Sequence, residues 1–131
     1  MILVVDDEVD AREALGELLG QRGYSVICAE DGEDALDQVR NWNAPPALIL
    51  LDLFMPVMDG QVFLRRASED RRLRNVPIIV MTADPCAEPL GADAILIKPL
   101  RPAILITTIR RVLEWPLGLR STPRLFWEGW I

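Results

Sequence analysis

The chain has 131 residues, half of them hydrophobic, and a formal net charge of −6, which is the size of one domain with its own apolar core. An acidic chain without a Lys/Arg cluster is a poor direct ligand for nucleic acid. The absence of histidine excludes Ser-His-Asp and Cys-His catalysis, histidine metal ligation and a phosphohistidine on this chain.

Met1 leads at once into a strand-like run, so no secretory signal is expected. No apolar stretch approaches the length of a membrane span, and the expected localisation is cytoplasmic. Cys28 and Cys86 lack the spacing of a metal or redox pair, and Cys28 reads as a small core residue.

In chain order, "ILVV" (2–5) predicts a buried strand. Residues 10–23 carry Ala11, Ala14, Leu15, Leu18 and Leu19 at helical spacing, with Gly23 as a stop. "YSVICA" (24–29) predicts a second strand, and 32–42 a second helix with Ala35, Leu36 and Val39 inward. "ALIL" (47–50) is the third strand. Asp59 is the natural N-cap of a helix over about 60–67. "PIIVM" (77–81) and "AILI" (94–97) are the fourth and fifth strands. A last helix runs from Pro102, a residue suited to the first turn, to about Trp115. Strands alternating with amphipathic helices predict an α/β fold: a doubly wound five-stranded parallel sheet ordered 2-1-3-4-5. Residues 1–116 form that domain. Residues 117–131, "LGLRSTPRLFWEGWI", form a hydrophobic C-terminal tail with no separate output domain.

In such sheets functional groups collect beyond the carboxyl ends of the strands. The first strand runs into Asp6-Asp7, the third into Asp52, the fourth into Thr82-Ala83, the fifth into Lys98-Pro99. Three converging carboxylates repel one another, so at least one pKa should rise. A hard divalent cation relieves this, and Mg²⁺ suits a few carboxylates plus waters. Asp52 is then a candidate nucleophile that accepts a phosphoryl group as an acyl phosphate. Lys98 offsets charge on the transferred group, Thr82 donates a hydrogen bond to it, and the small Ala83 leaves the approach open. Alone, Asp6 and Asp7 would be caps or solvated charges, Thr82 a helix cap and Lys98 a surface lysine. Their joint placement overrides those readings. Asp59 stays a cap, Asp84 and Glu88 solvated loop charges, Met55 and Met58 loop packing.

"ILVVDDE", "LILLDLFMPVMDG", "PIIVMTA" and "GADAILIKP" occur in this order over about residues 1–115. Together they resemble the response-regulator receiver domain of two-component signalling, here of the stand-alone type. The resemblance implies a flavodoxin-like fold with Asp52 as phosphoacceptor. It implies that Asp7, Asp52 and the Phe54 carbonyl ligate Mg²⁺ directly, and that Asp6 acts through metal-bound water. Thr82 and Lys98 would bind the phosphoryl group, and the Lys98-Pro99 bond would be cis. The donor would be a sensor histidine kinase or a histidine phosphotransfer protein. The chain would catalyse only its own phosphotransfer and dephosphorylation.

Two features depart from the family. Only seven residues, Asp84 to Leu90, separate Ala83 from Gly91, roughly six short of a full helix at about 3.6 residues per turn. With Pro85 and Pro89 also opposing one, the fourth helix should be missing or cut to a single turn. Ile95 stands where the family carries an aromatic that reports phosphorylation, so the readout should differ. An alternative function is therefore a receiver-fold interaction module that signals without phosphorylation. A phosphatase acting on outside substrates needs a second Asp two residues after the nucleophile, where Phe54 stands. The tail has three readings: the remnant of an output segment, a cover for its own domain, or a dock for a partner or a homodimer mate.

Overall fold

The computed structural model describes residues 1–55 and 57–114; the tail expected over 117–131 lies outside the described residues. The chain alternates β1 (Ile2–Val5), α1 (Val9–Gln21), β2 (Val26–Ala29), α2 (Gly32–Arg40), β3 (Leu48–Asp52), α3 (Gly60–Glu69), β4 (Ile78–Thr82), β5 (Ala94–Ile97) and α4 (Pro102–Glu114). All strands are parallel, in the order β2-β1-β3-β4-β5. This is the doubly wound, flavodoxin-like arrangement read from the sequence.

Strand side chains alternate between the two faces. Leu3, Val5, Ile49, Leu51 and Val80 pack with Ala35, Leu36, Val39, Phe63 and Leu64 from α2 and α3. Ile2, Val4, Leu48, Leu50, Ile79 and Met81 pack with Leu15, Leu19, Leu105, Ile109 and Val112 from α1 and α4. All five residues of β3 are buried because both faces of the central strand are covered. Ala14, placed on the inner stripe of α1 by its spacing, is instead exposed, and Cys28 is half-buried.

Helix and strand ends differ from expectation for local reasons. The strand predicted from Tyr24 begins at Val26 because the Tyr24 amide donates to Leu19 O at 3.1 Å, closing α1. Gly23, at φ 88°, makes that reversal, a left-handed conformation that favours glycine. The helix predicted to 42 ends at Arg40. The Asn41 and Trp42 amides turn back to Gln38 O and Val39 O, and Arg72 donates to the carbonyls of Val39, Arg40 and Trp42. Asp31 caps α2 through the Asp34 amide at 2.8 Å, and Asp59 caps α3 through Val62 at 2.9 Å. Pro102 is the first residue of α4.

No helix lies between β4 and β5. A single turn closes over Asp84–Ala87, with the Ala87 amide on Asp84 O at 3.2 Å and the Cys86 amide on Asp84 Oδ1 at 2.9 Å. The stretch then lies along the sheet, fastened by the Gln61 side chain at the start of α3. Gln61 Nε2 donates to Leu90 O at 3.2 Å and Gln61 Oε1 accepts from the Leu90 amide at 3.1 Å. Among the described residues no helix is long and apolar enough to cross a membrane.

Candidate phosphoacceptor site

Adjacent β1 and β3 bring Asp6-Asp7 beside Asp52 at one edge of the sheet. Carboxylate oxygens of Asp6, Asp7 and Asp52 lie within 4.8 Å of one another. Asp6 is fully buried, Asp52 is 5% exposed and Asp7 sits at the open rim. Lys98, just beyond β5, reaches over both buried acids: its Nζ lies 3.5 Å from Asp52 Oδ1 and 3.6 Å from Asp6 Oδ2. The Lys98-Pro99 peptide is cis, as the resemblance implied.

Asp6 is braced from its own strand end. Its Oδ1 accepts from the Glu8 amide at 2.9 Å, and Arg12 Nη1 donates to its backbone carbonyl at 2.7 Å. Its Oδ2 is buried with no hydrogen-bond partner. Thr82 is the last residue of β4, not the first beyond it, and is fully buried. Its hydroxyl oxygen accepts from the Asp84 amide at 3.1 Å, which leaves the hydroxyl proton available to an incoming oxygen.

Burial pushes the Asp52 carboxyl up to about 6. Lys98 pulls it down, while the charge of Asp6 and a hydrogen bond with Asp7 add to the rise. The Asp6 contribution is the carboxylate repulsion anticipated from the sequence; burial, the larger cause, was not anticipated. A buried oxygen that accepts no hydrogen bond, among three carboxylates, suits a hard cation with oxygen ligands, and Mg²⁺ fits that set.

Around this centre several residues that follow Asp52 pack closely. Met55 and Met58 are buried, and the Met58 thioether lies against Gly32, where a Cβ would come within 2.8 Å of its sulfur. The Gly60 amide donates to Leu53 O at 2.7 Å. A Cβ on Gly60 would lie 2.7 Å from Leu53 Cα and 3.0 Å from Asp52 O. Phe54 points outward, 60% exposed; Asp84 and Glu88 are exposed, as expected of solvated charges. Ile95 is buried. The roles of Gly60 and Arg12 were not read from the sequence. "DG" signalled a turn but not the backbone packed behind it, and nothing in the sequence pairs Arg12 with a carbonyl six residues earlier.

The family model for the response regulator receiver domain matches residues 2–110. The chain belongs to that family. This receiver domain is 41% identical over 119 residues to the "probable transcriptional regulator ycf27" of Porphyridium aerugineum, which covers 86% of this chain and 48% of the relative. The chain spans about half the length of the curated relatives it matches. Among solved structures it resembles the chemotaxis response regulator CheY4 of Vibrio cholerae (32% identity, TM-score 0.77, 85% of this chain and 96% of that one). It also resembles the receiver domain of the sensor histidine kinase PA1611 from Pseudomonas aeruginosa (28% identity, TM-score 0.80, 87% and 97% coverage). That structure holds a magnesium ion in its active-site cleft.

The raised Asp52 pKa has a consequence for this receiver domain. With a folded pKa of about 6 against an ordinary 3.8, the fold favours the protonated acid. The stability this group contributes is full below about pH 4 and is lost as pH rises through 6, on the order of 3 kcal/mol without divalent cation. A divalent cation held by these acids would compete with that proton, so any stabilisation by Mg²⁺ should be larger at pH 8 than at pH 5. Thermal unfolding with and without Mg²⁺ at both pH values measures this. Equal shifts at the two pH values, or the same shift in Asp7→Ala, would count against the site.

Proposed function

We propose that this chain is a phosphoacceptor response regulator. Asp52 takes a phosphoryl group from a phosphohistidine on a sensor histidine kinase or histidine phosphotransfer protein, and the phosphorylated form signals through altered protein–protein interaction. The observation that supports this most is the placement of Asp52 at the end of a buried central strand, beside two further acids and 3.5 Å from Lys98. The receiver domain occupies residues 1–116 in this reading, with 117–131 as an appended tail.

One oxygen of the ionised Asp52 carboxylate attacks phosphorus. The O–P bond forms as the P–N bond to the donor imidazole breaks, and its electron pair stays on the imidazole nitrogen. Lys98 Nζ stands where negative charge gathers, and the Thr82 hydroxyl supplies its free proton as a hydrogen bond to a phosphoryl oxygen. Asp7, Asp52 and the Phe54 carbonyl would hold Mg²⁺ directly and Asp6 would act through an intervening water, and the cation would supply positive charge to the equatorial oxygens. Later attack of water on phosphorus returns the carboxylate and inorganic phosphate. No other enzymatic activity is proposed.

A second reading keeps the fold but signals without phosphorylation. It is favoured by the stretch between β4 and β5, which carries one turn in place of a helix, and by Ile95 in the buried position. The protein incubated with Mg²⁺ and a small acyl phosphate separates the two by intact mass. Wild type should gain one phosphoryl group, lose the gain in EDTA, and show none as Asp52→Asn. Wild type that stays unmodified with metal and donor present would overturn the first reading.

A further inference from the structure

α2 and α3 cover one face of the sheet, and among the described residues the part of that face beyond α3, over β5, has the stretch between β4 and β5 above it. Between this stretch and α3 lies a hollow of about 420 Å³ walled by Val62, Leu64, Leu90 and Gly91. It adjoins a second hollow of about 200 Å³, with which it shares Leu64 and Gly91 and which reaches Arg74 and Asp93. Together they form a trough along the side of α3. Gln61 fixes its outer wall by holding both main-chain groups of Leu90. Leu90 itself is 79% exposed to everything described, and a large apolar side chain held in place without cover invites a partner.

We propose that the occupant is the C-terminal segment of this same chain, within residues 117–131. α4 follows β5 on the opposite face and runs back along it, so Glu114 comes out at the edge of the sheet where β5 begins. The trough opens at that edge, where Gly91 and Asp93 enter β5. Among the described residues β5 is the outermost strand, so the chain passes round no further described strand to change faces. Fifteen residues reach about 50 Å when extended, against about 15 Å for the length of α3. Leu117, Leu119, Leu125, Phe126, Trp127, Trp130 and Ile131 supply apolar groups, with Glu128 the segment's one acidic residue. The contact substitutes for the absent helix, and it stands independently of whether Asp52 is phosphorylated.

The test uses the full chain. An exposed leucine tolerates substitution almost without cost, so Leu90→Asp should leave the melting temperature unchanged if nothing lies on it. The proposal expects a fall of about 5 °C. It expects a similar fall in the triple variant Phe126→Ser, Trp127→Ser, Trp130→Ser, and no further fall when the two are combined, because both remove one contact. Amides of Gly60–Glu69 should exchange about tenfold faster in either variant. Should the triple variant fail to fold, Leu90→Asp alone still decides. Wild-type melting and exchange in Leu90→Asp, or fully additive effects, overturn the proposal. So does a wild-type protein whose protection rises with concentration as its sedimenting mass doubles, because a second copy would then fill the trough.

Discussion

Lys98→Ala should slow phosphoryl transfer to the chain on the order of a hundredfold or more, the usual cost of removing one group that meets developing charge. The ammonium lies 3.5 Å from Asp52 and 3.6 Å from Asp6, both almost wholly buried. The loss acts twice. It removes the positive charge facing the transferred group, and it lets the Asp52 pKa climb beyond about 6, because Lys98 is the largest influence holding it down. A smaller fraction of Asp52 is then ionised and able to attack at neutral pH. Lys98→Arg keeps the charge but spreads it over a planar fork and should recover only part of the rate. Initial rates of adduct formation between pH 5 and 8 report both effects. A rate unchanged in Lys98→Ala, or a pH profile that does not move upward, would remove Lys98 from the site.

Gly60→Ala should be the most damaging small substitution for stability. The added methyl would sit 2.7 Å from Leu53 Cα and 2.9 Å from Leu53 O, and both are backbone that cannot swing aside. Overpacking of this kind costs about 1–3 kcal/mol. Displacement also strains the 2.7 Å hydrogen bond from the Gly60 amide to Leu53 O, worth about 1 kcal/mol. A total loss of about 2–4 kcal/mol follows, roughly 10 °C in melting temperature. The same shift pushes on Asp52 O, 3.0 Å from the methyl, so phosphorylation should slow even where the variant is folded. Gly16→Ala is the control. Nothing lies within 4 Å of a Cβ there, and alanine in a helix interior should stabilise by up to about 1 kcal/mol. Melting curves of the two variants test the contrast, and similar melting temperatures would contradict it.

The parts of this protein that could be read from the sequence are those set by periodicity and by strand ends. "LILLD" is buried throughout and stops at Asp52 because a central parallel strand is covered on both faces, and its first polar residue marks the exit. Asp6, Thr82 and Lys98 follow the same logic on neighbouring strands. The missing helix was legible from seven residues and two prolines, since chain length and proline geometry are local constraints. What was not legible depends on groups distant in sequence. Gln61 meets Leu90 across 29 positions, Arg72 meets Val39 across 33, and Gly60 is needed because of backbone that folds behind it. None of these has a spacing rule. The boundaries that shifted, at Tyr24 and Trp42, did so where helix-end hydrogen bonds outcompeted strand or helix propensity.

The central claim is that one side chain, Asp52, carries the phosphoryl group as an acyl phosphate. Borohydride reduction tests it directly, because hydride converts an aspartyl phosphate to the homoserine alcohol and releases phosphate, while unmodified carboxylates do not react. The full-length protein is phosphorylated in Mg²⁺, reduced, digested and sequenced by mass spectrometry. The account predicts homoserine at position 52 and at no other aspartate, with none in a sample treated in EDTA. Homoserine at position 6, 7 or 84, or a phosphorylated protein that borohydride leaves unchanged, would contradict it.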